Sequence, residues 1–157
     1  MCGICGIVYT NSGKVHKKAL DQANSLLRHR GPDDQGTYFD EHAGLAMRRL
    51  AIIDLAQGHQ PIANRDNSVI IVFNGEIYNF HSLREGLQKE GYPFKTQSDT
   101  EVILALYEKF GTKCVEKLRG MFAFAIWDKN KKRLFLSRDR IGKKPLVYTV
   151  GHGFLAF

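Results

Sequence analysis

Two stretches of this chain are apolar on both of the faces a β-strand presents, and that narrows the fold more than any other feature. In "VIIVF", Val69 to Phe73, no residue is polar, and in "GMFAFAIWD" Phe122, Phe124 and Ile126 alternate with Ala123, Ala125 and Trp127. Successive strand side chains point to opposite faces, so such strands need cover above and below. Amphipathic helices supply one kind of cover. Leu20, Ala23 and Leu27 recur at helical spacing in "HKKALDQANSLLRH", and Ile103, Leu106, Tyr107 and Phe110 do so ahead of Gly111. The combination predicts an α+β fold of two packed sheets with helices outside, and 157 residues suffice for one such domain, residues 1–157.

Further strands are expected at residues 3–9, 36–39, 44–47 and 50–53. "VIIVF" is expected to end at "NGEIYN", whose Asn-Gly pair is a strong turn signal. Ser82 with Glu85, and Ser98 with Glu101, stand at capping-box spacing and predict two helix starts. "KNKK" reads as a hairpin into "RLFLSRD", and "KPLVYTV" and "GFLAF" as two last strands. The final run stops at Phe157 without a polar ending, as though cut within an element.

The formal net charge of +7 raises nucleic acid as a partner. Its cations are scattered over Lys17 and Lys18, Lys129 to Arg133 and Arg138 to Lys144, without aromatic interleaving, so they read as solvated faces and no nucleic-acid partner is expected. No run reaches the apolar length of a membrane span and no signal-like leader opens the chain, which predicts a cytoplasmic protein without a membrane partner. Three cysteines, an odd number, argue against a disulfide framework.

Cys2 is the cysteine with a second reading. An N-terminal cysteine carries its own base: removal of Met1 leaves an α-amino group of pKa about 7.7–8.0 beside the thiol. Cys2 and Cys5 form a C-x-x-C spacing, but the further ligands of a zinc site are missing, and strand alternation puts the two on opposite faces. No metal site is expected. Cys5 and Cys114 read as small buried hydrophobes, whereas Cys2 stays open between nucleophile and packing.

Taken in order, "MCGICGI", "RHRGPDDQG", "RRLAIIDL", "GHQPI", "FNGEIYN", "SDTEVILALYEKFG", "GMFAFAIWD" and "RDRIGKKPL" resemble the glutaminase domain, a class II glutamine amidotransferase, of asparagine synthetases. The resemblance implies a four-layer αββα N-terminal-nucleophile sandwich of two mainly antiparallel sheets, truncated here at its C-terminus. It also implies hydrolysis of L-glutamine to glutamate and ammonia through a thioester on Cys2. Attack on an amide develops an oxyanion, for which the resemblance supplies the Asn74 side chain and the Gly75 N–H. It assigns the substrate α-carboxylate to Arg49 with backbone groups of Leu50, Ile52 and Ile53, the α-ammonium to Glu76 and Asp99, and the ordering of the nucleophile region to Arg30.

Each assignment has a plainer counterpart. "NGE" is a turn on its own, Asp99 suits the positive end of the following helix, and Arg49 reads as a solvated strand flank. Met47 and Val147 depart from the family pattern, where a histidine and an aromatic residue are common. No "SGGxDS" loop or Walker-type cradle is present, so the chain is not expected to make asparagine by itself. The implied partners are L-glutamine and an ATP-dependent synthetase domain or subunit, with a homodimer of the full-length protein left open. The domain itself needs no cofactor, and ATP and magnesium belong to the synthetase half. A different class of function, a catalytically silent glutamine-binding regulatory or assembly module, fits the same motifs.

Overall fold

The computed structural model describes residues 2–50 and 58–157. In chain order the elements are β1 (Gly3–Tyr9), α1 (Lys17–Leu26), β2 (Asp34–Phe39), β3 (Ala43–Arg49), β4 (Ile62–Ala63), β5 (Val69–Ile77) and α2 (Phe80–Lys89). Then come α3 (Asp99–Phe110), a 3-10 segment (Gly111–Lys117), β6 (Gly120–Asp128), β7 (Arg133–Arg138), β8 (Thr149–Gly151) and β9 (Phe154–Ala156). One sheet has the order β2-β3-β1-β9-β8 and the other β4-β5-β6-β7, and every pairing among the described residues is antiparallel.

The doubly apolar strands sit where their composition demands. On the inner face Ile70, Val72, Ala125 and Trp127 meet Val8, Leu45 and Met47 of the first sheet. On the outer face Ile71, Phe73, Ile77, Phe122, Phe124 and Ile126 pack with Val102, Ile103, Leu106 and Tyr107 of α3. The order of layers is therefore α1, sheet, sheet, then α2 with α3. Every residue of α3 from Asp99 to Tyr107 is buried, more than the single face its periodicity predicts. Phe110, on that predicted face, is 37% exposed, and the ammonium groups of Lys109 and Lys117 lie 5.0 and 5.2 Å from its ring centre.

Local signals were overruled at several places. β5 does not end at the Asn-Gly pair: it runs on to Ile77, because β6 supplies a partner for each residue from Val69 to Ile77. The capping box at Ser82 is absent. Asn79 precedes the first helical residue, held by hydrogen bonds to Lys117 O and Arg119 N, so α2 starts three residues earlier and the Ser82 hydroxyl donates to Asn79 O inside the helix. The second box forms only half. Ser98 accepts from the Thr100 N–H, while Glu101 accepts from Lys95 N, Thr96 N and the Thr96 hydroxyl.

The buried face of α1 holds Leu20 and Asn24 rather than Ala23, and Asn24 O accepts from Arg48 Nε. Leu50 lies outside β3, and the rest of the expected strand at 50–53 falls outside the described residues. Of "KPLVYTV" only the end is strand, in β8. No helix is long and apolar enough to cross a membrane, among the described residues.

Candidate active site

Three inner-face rows run from the core towards one end of the sandwich and change from apolar to polar there. On the first sheet, Val8 and Ile4 lead to Cys2, and Ala43, Leu45 and Met47 lead to Arg49. On the second, Ile70 and Val72 lead to Asn74 and Glu76. Strand alternation puts these terminal groups on the inner faces. The pairing of Gly3 with Arg48 brings Cys2 next to Arg49.

These residues line one cavity of about 80 Å³ with Leu50, Gly58, Gln60, Gly75, Asp99, Thr100 and Lys144 among its walls. Its small volume and its charges of both signs suit a small polar solute. Cys2 is half-buried, and its sulfur accepts from the Leu50 N–H at 3.4 Å and lies 3.7 Å from Leu50 O. The nucleophile candidate is thus neither sealed off nor turned away from Asn74 and Gly75. Arg30 stands behind the wall, and its Nε donates to Cys2 O at 3.1 Å. Ile52 and Ile53 lie outside the described residues, as does Met1.

The direction of the Gly75 N–H follows from its neighbours. Phe122, opposite Gly75, turns its backbone towards Asp139: its N–H donates to Asp139 Oδ2 at 3.1 Å and its carbonyl accepts from Asp139 N at 2.8 Å. In an antiparallel pair Gly75 then points its own N–H to the other edge of β5. Along that edge the ladder with β4 stops at Ile62 opposite Ile71, Phe73 N donates to Gln60 Oε1 at 2.7 Å, and Ile77 N donates to Asp99 Oδ2 at 3.0 Å. Between these two filled positions the Gly75 N–H faces the cavity. The glycine itself is required by β6, since a Cβ here would sit 2.2 Å from Met121 O.

Asp99 is the first residue of α3 and 4% exposed. Burial pushes its carboxyl up to about 6, with the nearby Glu76 charge adding to the rise and the N–H groups of Ile77 and Thr100 opposing it. The acid is therefore a placed group of the cavity as well as a helix-start residue. Its unfolded value is near 3.8. A carboxyl with a raised native pKa favours the fold below about pH 4 and loses that contribution as pH rises to about 6. Asp99→Asn keeps an acceptor for Ile77 N. The variant is expected to match the wild type in urea melts at pH 4 and to exceed it above pH 6, by at most about 3 kcal/mol. An unchanged difference across that range would show that Asp99 is not strained by its burial.

Arg49, read from sequence alone as a solvated flank, is 5% exposed. Cys114 is buried as expected, whereas Cys5 is only half-buried; desolvation pushes their thiols up to about 12 and about 11. Gln60, Thr100 and Lys144 went unassigned in the sequence. Lys144 is 6% exposed, because Asp139 accepts from Lys143 N and Lys144 N and Arg138 Nε donates to Lys144 O, which folds the loop inward. The motifs "GHQPI" and "RDRIGKKPL" carry Gln60 and Lys144, but neither has a periodicity that announces burial.

The profile of the glutamine amidotransferase domain matches residues 1–157. Among curated proteins, asparagine synthetase [glutamine-hydrolyzing] 1 of Bacillus subtilis is 47% identical over 95% of this chain and 24% of its own length. Asparagine synthetase B [glutamine-hydrolyzing] of Escherichia coli is 43% identical over 93% of this chain and 26% of its own length. The chain spans about a quarter of the length of these relatives. A solved glutamine phosphoribosylpyrophosphate amidotransferase from B. subtilis superposes with a TM-score of 0.62 at 19% identity, covering 98% of this chain and 34% of that one. A structure of the allosteric regulatory enzyme of purine biosynthesis gives 0.64 at 21%, over 98% and 35%. These likenesses bear on the fold, a four-layer αββα sandwich that this chain shares with them. With the whole chain matched, and with asparagine synthetases as its sequence relatives, the protein belongs to the glutamine amidotransferase domain family.

Proposed function

We propose that this domain hydrolyses L-glutamine to L-glutamate and ammonia, with Cys2 as nucleophile. The observation that carries the reading is the meeting of the Cys2 thiol, the Asn74 side chain and an inward Gly75 N–H on one cavity. After removal of Met1 the α-amine of Cys2 takes the thiol proton. The sulfur adds to the γ-carboxamide carbon, and the carbonyl electron pair moves onto oxygen, where Gly75 N–H and the Asn74 amide donate to it. The C–N bond then breaks, the amine returns the proton to the leaving nitrogen, and ammonia departs from a γ-glutamyl thioester. Water, deprotonated by the same amine, cleaves the thioester and restores the thiol.

Substrate selection follows from the charges on the walls. Arg49, with Leu50 backbone groups, holds the α-carboxylate through a planar fork that a lysine would not reproduce. Asp99 and Glu76 hold the α-ammonium, and Arg30 fixes the Cys2 carbonyl and with it the nucleophile's backbone. The ammonia passes to an ATP-dependent synthetase unit that amidates aspartate, the use suggested by the names of the relatives. ATP and magnesium act in that unit.

A glutamine-shaped electrophile tests the site directly. With Met1 removal verified by mass spectrometry, one adduct is expected on Cys2, with its formation suppressed by L-glutamine. Equal labelling of Cys5 or Cys114, or labelling of Cys2 that glutamine leaves unchanged, would overturn the reading.

A further inference from the structure

On the amidotransferase reading, we infer that Gln60 is a positioning residue, whose one carboxamide sets the oxyanion-binding strand against the ammonium-binding helix end. Its Oε1 accepts from Phe73 N at 2.7 Å, one residue before Asn74, and its Nε2 donates to Thr100 Oγ1 at 3.2 Å, one residue after Asp99. Phe73 N can only donate, so the orientation of the amide is fixed by its partners. Gln60 and Thr100 are 7% and 1% exposed, and both line the substrate cavity. The Gln60 backbone is also seated on the other sheet, since a Cβ at Gly36 would lie 1.9 Å from Gln60 O. One residue therefore touches β2, β5 and the start of α3.

The consequence is chemical. The strand bond replaced by Gln60 is the one adjoining the Gly75 N–H on the same edge, so its loss lets β5 shift where a donor must meet a developing oxyanion. A displacement near 1 Å at such a point can cost about 10²-fold in rate. Binding of the substrate's ammonium at Asp99 is carried through Thr100 and Gln60 to the same strand. Gln60 does not touch the reacting atoms and acts through Phe73 and Thr100.

The test uses Gln60→Leu, Thr100→Val and the double variant, with iodoacetamide alkylation of Cys2 as a reaction that forms no oxyanion. Gln60→Leu is expected to lower kcat for glutamine about 30-fold or more, raise KM by less, and leave the alkylation rate within about twofold of wild type. Thr100→Val falls part of the way, and the double variant adds nothing to Gln60→Leu, since both remove one bridge. A kcat for Gln60→Leu within threefold of wild type overturns the inference. So does a loss of kcat matched by equal losses in alkylation and in folded fraction, the signature of a merely structural role. A verified wild type that releases no glutamate overturns the amidotransferase reading and removes this inference with it, whereas an active wild type with an unaffected Gln60→Leu removes this inference alone.

Discussion

Cys2→Ala is expected to abolish glutamate release, by at least about 10³-fold, while leaving the thermal transition within a few degrees of wild type. The sulfur accepts from Leu50 N and lies at the rim of the inner core, so its removal takes away chemistry and little packing. A chain that keeps Met1 should be equally inactive, because its thiol is intact but its α-amine is tied up in a peptide bond. Glutamate release measured by a coupled assay on the three proteins separates the roles. Activity surviving in the Met1-retaining chain would assign the base to another group, and activity surviving in Cys2→Ala would refute the thioester.

Asn74→Ala should lower kcat by about 10²- to 10³-fold with a much smaller change in KM, since in the proposed mechanism the lost donor acts on charge that develops only in the transition state. Its side chain is 3% exposed at the end of a packed row, so stability must be followed alongside activity. Asn74→Asp keeps the size but replaces the amide donor by a carboxylate that repels the oxyanion, and it should be at least as inactive as the alanine variant. Parallel loss of kcat and folded fraction in both would mark Asn74 as packing alone.

The layered fold could be read from "VIIVF" and "GMFAFAIWD" because burial on two faces is written in every residue of a strand. The same alternation places Cys2, Arg49 and Asn74 inward, once the strands are known to extend that far. The Asn-Gly pair obscured this: a turn signal is local, and nine rungs of pairing with β6 outweigh it. Ser82 failed as a cap for a similar reason, as Asn79 is held from outside the helix by residues 117 and 119. Gln60 and Lys144 could not be placed at all. They come from irregular segments, whose paths depend on distant partners such as Gly36, Phe73 and Asp139 rather than on their own neighbours.

The passage from apolar to polar side chains along the same three rows means that interior and chemistry are not separate regions open to independent change. Val72 is two residues from Asn74, Met47 two from Arg49, and Ile4 two from Cys2. Added or missing volume beneath any of them tilts a strand that ends in a group the proposed mechanism uses. Variation in this slab therefore has to be concerted, each enlargement on one sheet answered by a reduction on the other, for glutamine to be met by the same constellation of atoms.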